Sequence, residues 1–145
     1  MRLTAENQAI ILDHYRAPRH SGLREPCSVE VHHFNPMCGD EITLRVSLTG
    51  EGPAAVVDDL SYDVKGCSIS QASISVLTGL AIGRCVREVF ELHSAFEALL
   101  RDRARASGAW PTELADASAF SDVSRHPARI KCVLLSWTAL RKALT

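Results

Sequence analysis

Residues Glu41 to Leu48 alternate polar and apolar side chains without a break, and no other stretch constrains the chain as much. Successive side chains of a strand point to opposite faces. Ile42, Leu44, Val46 and Leu48 therefore share one face, and Glu41, Thr43, Arg45 and Ser47 the other. Weaker alternation flanks this segment. Val29 and Val31 alternate with Ser28, Glu30 and His32, and Leu60, Tyr62 and Val64 with Ser61, Asp63 and Lys65. The connectors Asn35-Pro36-Met37-Cys38-Gly39 and Gly50-Glu51-Gly52-Pro53 are short and turn-rich, which favours an antiparallel meander. One face of such a sheet is apolar and must be covered. The expected class is α+β, a small three-stranded antiparallel sheet covered by helices.

The rest of the chain supplies the cover. Residues 4 to 17 read as a helix capped by Thr4 and ended by Pro18. Ser68 and Gln71 have the spacing of a capping box, and Ile69, Ala72, Val76, Leu77 and Leu80 follow at helical spacing. Another helix is expected from about Arg84 to Arg105, with Val86, Val89, Phe90, Phe96, Leu99 and Leu100 on its apolar side and Arg101, Arg103 and Arg105 as a solvated end. The stretch from Ser107 to Arg125 shows no strong period and reads as a long loop with at most a short helix. A last helix starts at Pro127 and buries Ile130, Val133, Leu134, Trp137 and Leu140.

The 145 residues carry 46% hydrophobic and 23% charged side chains, as expected of one globular domain spanning 1–145. Sixteen basic against seventeen acidic side chains leave a formal charge of −1, too little field to gather nucleic acid. No apolar run approaches a membrane span, and the opening Met-Arg-Leu-Thr-Ala-Glu-Asn has no signal-peptide core, so a cytoplasmic protein is expected.

Cys27, Cys38, Cys67, Cys85 and Cys132 are odd in number and include no C-x-x-C pair. Disulfide frameworks, thioredoxin-type motifs and zinc ribbons are poor readings. Cys27 and Cys85 read as small buried hydrophobes. Cys38, Cys67 and Cys132 sit near element junctions, either as core fillers or as parts of one site. With Asp40, three thiolates could hold zinc tetrahedrally, and helix starts near Cys67 and Cys132 favour the thiolate form. Histidines 14, 20, 32, 33, 93 and 126 have no partner at ligand spacing and read as surface or packing residues.

Four local contexts add a resemblance that runs over nearly the whole chain. Asp13-His14-Tyr15-Arg16-Ala17-Pro18-Arg19-His20-Ser21-Gly22 resembles the D-H-Y-x-N-P-R-N-x-G opening of the U-type iron–sulfur assembly proteins. Asn35-Pro36-Met37-Cys38-Gly39-Asp40 is similar to their N-P-x-C-G-D loop, and Gly66-Cys67-Ser68-Ile69-Ser70-Gln71-Ala72-Ser73 to their G-C-x-I-S-x-A-S segment. Pro127-Ala128-Arg129-Ile130-Lys131-Cys132, followed by Ser136-Trp137, resembles the end of one branch. Scaffold members of the IscU and NifU type carry histidine where Lys131 stands and lack most of the segment at about 104–126. Both features resemble the SufU branch.

The resemblance implies a SufE/NifU-like fold and a zinc-dependent sulfur carrier. Such a protein accepts persulfide sulfur from a SufS-type cysteine desulfurase and passes it to a SufBCD-type assembly complex. It implies Cys38, Asp40, Cys67 and Cys132 as zinc ligands, Cys38 as the persulfide acceptor, and Arg129 as the residue that engages the released thiolate or the partner. Whether such a carrier counts as an enzyme or as a sulfurtransferase-like accessory stays open. The alternative is a scaffold on which a [2Fe–2S] cluster is assembled, since the same four side chains could hold iron. A third possibility is a domain whose zinc is purely structural.

Overall fold

The computed structural model describes residues 3–102 and 108–145. In chain order the elements are α1 (Ala5–Arg16), β1 (Val29–Phe34), β2 (Glu41–Thr49), β3 (Val56–Lys65), α2 (Ser68–Ala81), α3 (Val86–Arg101), a 3₁₀ segment (Thr112–Arg125) and α4 (Pro127–Ala143). The strands form the expected antiparallel meander, in the order β1-β2-β3. Val31 faces Leu44, and Leu44 faces Tyr62, in the pairing register. A register shift between Ser47 and Leu48 accommodates the longer β3. Ile42, Leu44 and Val46 are fully buried, as their alternation requires. α4 lies against β1 and β2, while α2 is packed between α1, α4 and β3.

The helices differ from expectation in three instructive ways. The cap of α2 is Cys67, not Ser68, which is already helical. Gln71 reaches back with Nε2 to donate to the Gly66 carbonyl at 2.8 Å, so the helix starts one residue earlier than a Ser-capped box would place it. The capping box lies instead at the start of α3. There the Cys85 N–H donates to Glu88 Oε1 at 3.2 Å, and Cys85 is a half-buried cap rather than a core residue. Cys27 is likewise exposed.

The third difference is the segment read as a loop. Thr112–Arg125 is 3₁₀ helix, kinked at Ala115 (φ 44°), and buries Leu114, Ala117, Phe120 and Val123. Those four positions recur every three residues, the period of a 3₁₀ helix, where side chains at i and i+3 eclipse. That spacing matches neither the 3.6-residue period of an α-helix nor the two-residue period of a strand. The expected extension of α3 to Arg105, the roles of Arg103 and Arg105, and the loop start at Ser107 lie outside the described residues.

Two buried polar contacts tie these elements. Trp137 Nε1 on α4 donates to Ser73 Oγ on α2 at 3.1 Å, and Ser73 Oγ donates to the Val133 carbonyl at 2.6 Å. Phe96 of α3 stacks on Trp137, ring centroids 4.3 Å apart. His14 of α1 spans Ser75 Oγ at 2.7 Å and Asp116 Oδ2 at 2.8 Å. Ser75 Oγ also accepts from the Arg19 N–H at 2.9 Å.

His93 is the opposite case. It is buried against Trp137, and Nε2 lies 3.4 Å from Glu97 Oε1 but off hydrogen-bond geometry. Burial holds its pKa below the ordinary 6.5, with Arg141 adding to that and Glu97 opposing it. The unfolded chain therefore takes up this proton first, and stability drains away as pH falls below about 6.5. Urea unfolding midpoints should decline with acidification over that range, and His93→Phe should flatten the slope.

Candidate metal centre

The candidate residues arrive from three separate chain segments at one end of the sheet. In the β1–β2 loop, the Asn35 N–H donates to the Asp40 carbonyl at 2.9 Å and the Gly39 N–H to the Asn35 carbonyl at 2.8 Å. The Met37 N–H donates to Asn35 Oδ1 at 2.9 Å. Gly39 takes φ +75°, a left-handed conformation that costs other residues strain. This closed turn leaves Cys38 exposed and sends Asp40 inward, where it is only 5% exposed. Cys67, half-buried, comes from the junction of β3 and α2, and Cys132, 2% exposed, from the second turn of α4.

Cys38, Asp40 and Cys132 converge, with one potential ligand atom from each lying within 4.8 Å of the others. Cys67 joins them from the side. Its Sγ lies 3.7 Å from Asp40 Oδ2 and 3.7 Å from Ser70 Oγ. Burial pushes the Cys132 thiol up to about 12, helped by the negative charge of Cys67, the hydrogen bond with Cys38, and the charges of Cys38 and Asp40. Negative neighbours around a buried thiol disfavour its thiolate form. A thiophilic divalent cation would relieve that repulsion, and three sulfurs with one oxygen suit tetrahedral zinc.

Arg129 stands beside Cys67. It is exposed and lines a cleft of about 270 Å³ with Cys67, Leu3, Gln8, Ile11 and Ile69. A larger apolar groove of about 940 Å³, bordered by Leu48, Val86, Phe90 and Leu144, holds none of the cysteines.

Two residues were missed by reasoning from side-chain chemistry. Gly66 is one, because a Cβ there would run into Ser70 Oγ and come within 2.7 Å of Asp40 Cγ and 2.9 Å of Asp40 Oδ1. Ser70 is the other; buried, it donates to the Cys67 carbonyl at 3.0 Å and fixes the turn that presents the thiol. The glycine immediately before Cys67 was the available signal.

Fold and site together define a small α+β protein with a carboxylate and thiols gathered at one end of a three-stranded sheet. The chain belongs to the family of NifU-like N-terminal domains, which matches residues 6–145. It is 36% identical over 135 residues to the zinc-dependent sulfurtransferase SufU of Bacillus subtilis, covering 93% of this chain and 86% of that one. It is 32% identical over 136 residues to the iron–sulfur cluster assembly scaffold protein IscU of Streptococcus pyogenes, covering 94% and 80%. A crystal structure of an iron–sulfur cluster assembly scaffold protein for the SUF system, from Fervidobacterium islandicum, superposes with a TM-score of 0.76 at 28% identity, covering 94% of both chains.

Gly66→Ala tests the close approach. Crowding of this kind costs about 1–3 kcal/mol, and the displaced Asp40 should lower the metal retained per chain, measured by elemental analysis after dialysis.

Proposed function

We propose that, within iron–sulfur cluster assembly, this protein is a zinc-dependent acceptor of persulfide sulfur from a SufS-type cysteine desulfurase. Cys38, Asp40, Cys67 and Cys132 are the zinc ligands in this proposal, and Cys38 carries the sulfur. The observation that supports it most is the asymmetry of the cluster: Cys38 is exposed, whereas Asp40 and Cys132 beside it are buried. One thiol can meet a partner while the others stay behind it. The 36% identity with a zinc-dependent sulfurtransferase supports the same conclusion.

Zinc, when bound, supplies the positive charge that keeps its thiol ligands deprotonated at neutral pH. The chemistry of transfer is thiol–persulfide exchange. The Cys38 thiolate attacks the outer sulfur of the partner's cysteine persulfide, a new S–S bond forms at Cys38, and the partner's cysteine leaves as thiolate. No electrons are gained or lost overall. Asp40, a hard oxygen donor among soft sulfurs, keeps the donor set less closed than four thiolates would be. Arg129 offers a cation one helical turn from Cys132, suited to a released thiolate or to the partner. The sulfur then passes to a SufBCD-type complex.

A scaffold for a [2Fe–2S] cluster is the second possibility, favoured by the identity with IscU. Lys131, where scaffold-type members resemble one another in carrying histidine, speaks against it.

Alanine release by the cognate desulfurase, measured with and without this protein, decides between them. Stimulation by the wild type that disappears in Cys38→Ala is expected; no stimulation with zinc bound would favour the scaffold. Asp40→Cys should retain zinc yet accept sulfur at least tenfold more slowly. Undiminished transfer by that variant would remove Asp40 from the explanation.

A further inference from the structure

The segment Gly66-Cys67-Ser68-Ile69-Ser70 brings a second polar group to the candidate centre besides the Cys67 thiol. Ser70 stands at the third helical position of α2, only 1% exposed, and its hydroxyl faces two acceptors on a single residue. It donates to the Cys67 carbonyl at 3.0 Å, and it lies 3.7 Å from Cys67 Sγ. A hydroxyl carries one hydrogen, so the two acceptors compete for it.

The carbonyl can do without that hydrogen. It also accepts the Gln71 N–H at 3.1 Å, the first bond of the helix, and stays satisfied when Ser70 turns away. The sulfur has no such second source. It makes no cap bond to the helix, and among the described residues its hydrogen-bond neighbours are Ser70 Oγ and Asp40 Oδ2, each at 3.7 Å. An ionised carboxylate only accepts, which leaves Ser70 with the hydrogen that a Cys67 thiolate would receive. Gly66 makes this placement possible. A Cβ there would run into Ser70 Oγ and come within 2.7 Å of Asp40 Cγ, so the hydroxyl and the carboxylate share the room it leaves. Gln71 Nε2 pins the Gly66 carbonyl at 2.8 Å and holds that gap in place.

We propose that Ser70 is a positioning residue of the metal centre: once a cation holds Cys67 as thiolate, the hydroxyl turns from the Cys67 carbonyl to Cys67 Sγ and keeps that sulfur on the metal. The inference rests on Cys38, Asp40, Cys67 and Cys132 being the zinc ligands, and it gives their thiolates unequal roles. A charge-assisted hydrogen bond stabilises the Cys67 thiolate and lowers its nucleophilicity. Cys67 is thereby the sulfur that stays. Cys38, exposed to solvent, is the one free to leave and take up a persulfide.

The test uses the full chain loaded with cobalt(II), whose thiolate charge-transfer absorption reports on the sulfurs directly, and with zinc in competition with a chelator. Ser70→Ala should move the charge-transfer band to longer wavelength, because a thiolate without a donor gives up its electrons more readily. The same variant should hold zinc about ten- to a hundredfold more weakly, the usual effect of losing a partner that orients a ligand. Ser70→Thr, which restores a hydroxyl, should return both readings toward wild type. Urea midpoints measured in parallel separate a weakened turn from a lost donor. A cobalt spectrum in Ser70→Ala identical to wild type would overturn the inference whatever the stability, since the hydroxyl would then serve the turn alone. A Ser70→Thr protein of wild-type stability that keeps the spectrum of Ser70→Ala would overturn it as well. Either result leaves the ligand set and the sulfur-acceptor role standing. A wild-type protein that bound cobalt without thiolate charge transfer would instead remove the ligand set itself, and the inference with it.

Discussion

The hydroxyl of Ser73 sets the spacing between the two helices that carry the inner half of the site. It accepts from the Trp137 indole and donates to the Val133 carbonyl, so one buried oxygen is bonded twice to α4 from the middle of α2. Each bond is worth about 1 kcal/mol net, but leaving either group unpaired in the core would cost about 1–3 kcal/mol. That asymmetry makes the contact a registration device. Slide α4 by one residue and both bonds break, and Cys132 leaves its place beside Cys38 and Asp40. Trp137 is held from the other side by Phe96, so α3 takes part in the same alignment.

Around this fixed pair the site is built with opposite demands on its members. Asp40 and Cys132 are nearly excluded from water, where ionisation is costly, while Cys38 stands in solvent on a short closed turn. Burial alone would make Cys132 an inert thiol, and its raised pKa says as much. Its neighbours change the meaning of that burial. A lone buried cysteine needs nothing; a buried cysteine with a carboxylate and a second thiol within 4.8 Å is a donor set that could hold a cation. Gly66 and Ser70 supply the space and the turn that make this crowding possible.

The sheet was legible because period two has a single physical meaning, and Ile42, Leu44 and Val46 are buried as their alternation demands. The stripe of α4 was legible for the same reason. α2 was not fully so: Ser70, Ser73 and Ser75 are all buried and bonded. Serine on a helix reads as solvated unless the partner is known, and those partners lie 61 residues away for His14 and 60 for Val133. The 3₁₀ segment escaped because Leu114, Ala117, Phe120 and Val123 keep a period that ordinary helix and strand patterns lack.

By itself the sequence determined the α+β class and the antiparallel meander, and it offered Cys38, Asp40, Cys67 and Cys132 as candidates. Local periodicity and turn chemistry depend on near neighbours only, so they survive in one dimension. Only the tertiary structure decided that Cys38, Asp40 and Cys132 meet and that Arg129 lines a cleft with Cys67. It also decided that Cys27 and Cys85 lie outside the core. Convergence of distant residues is set by how helices register against one another, and that register is fixed by buried contacts such as Ser73 to Trp137. No stretch of the chain contains both partners of such a contact.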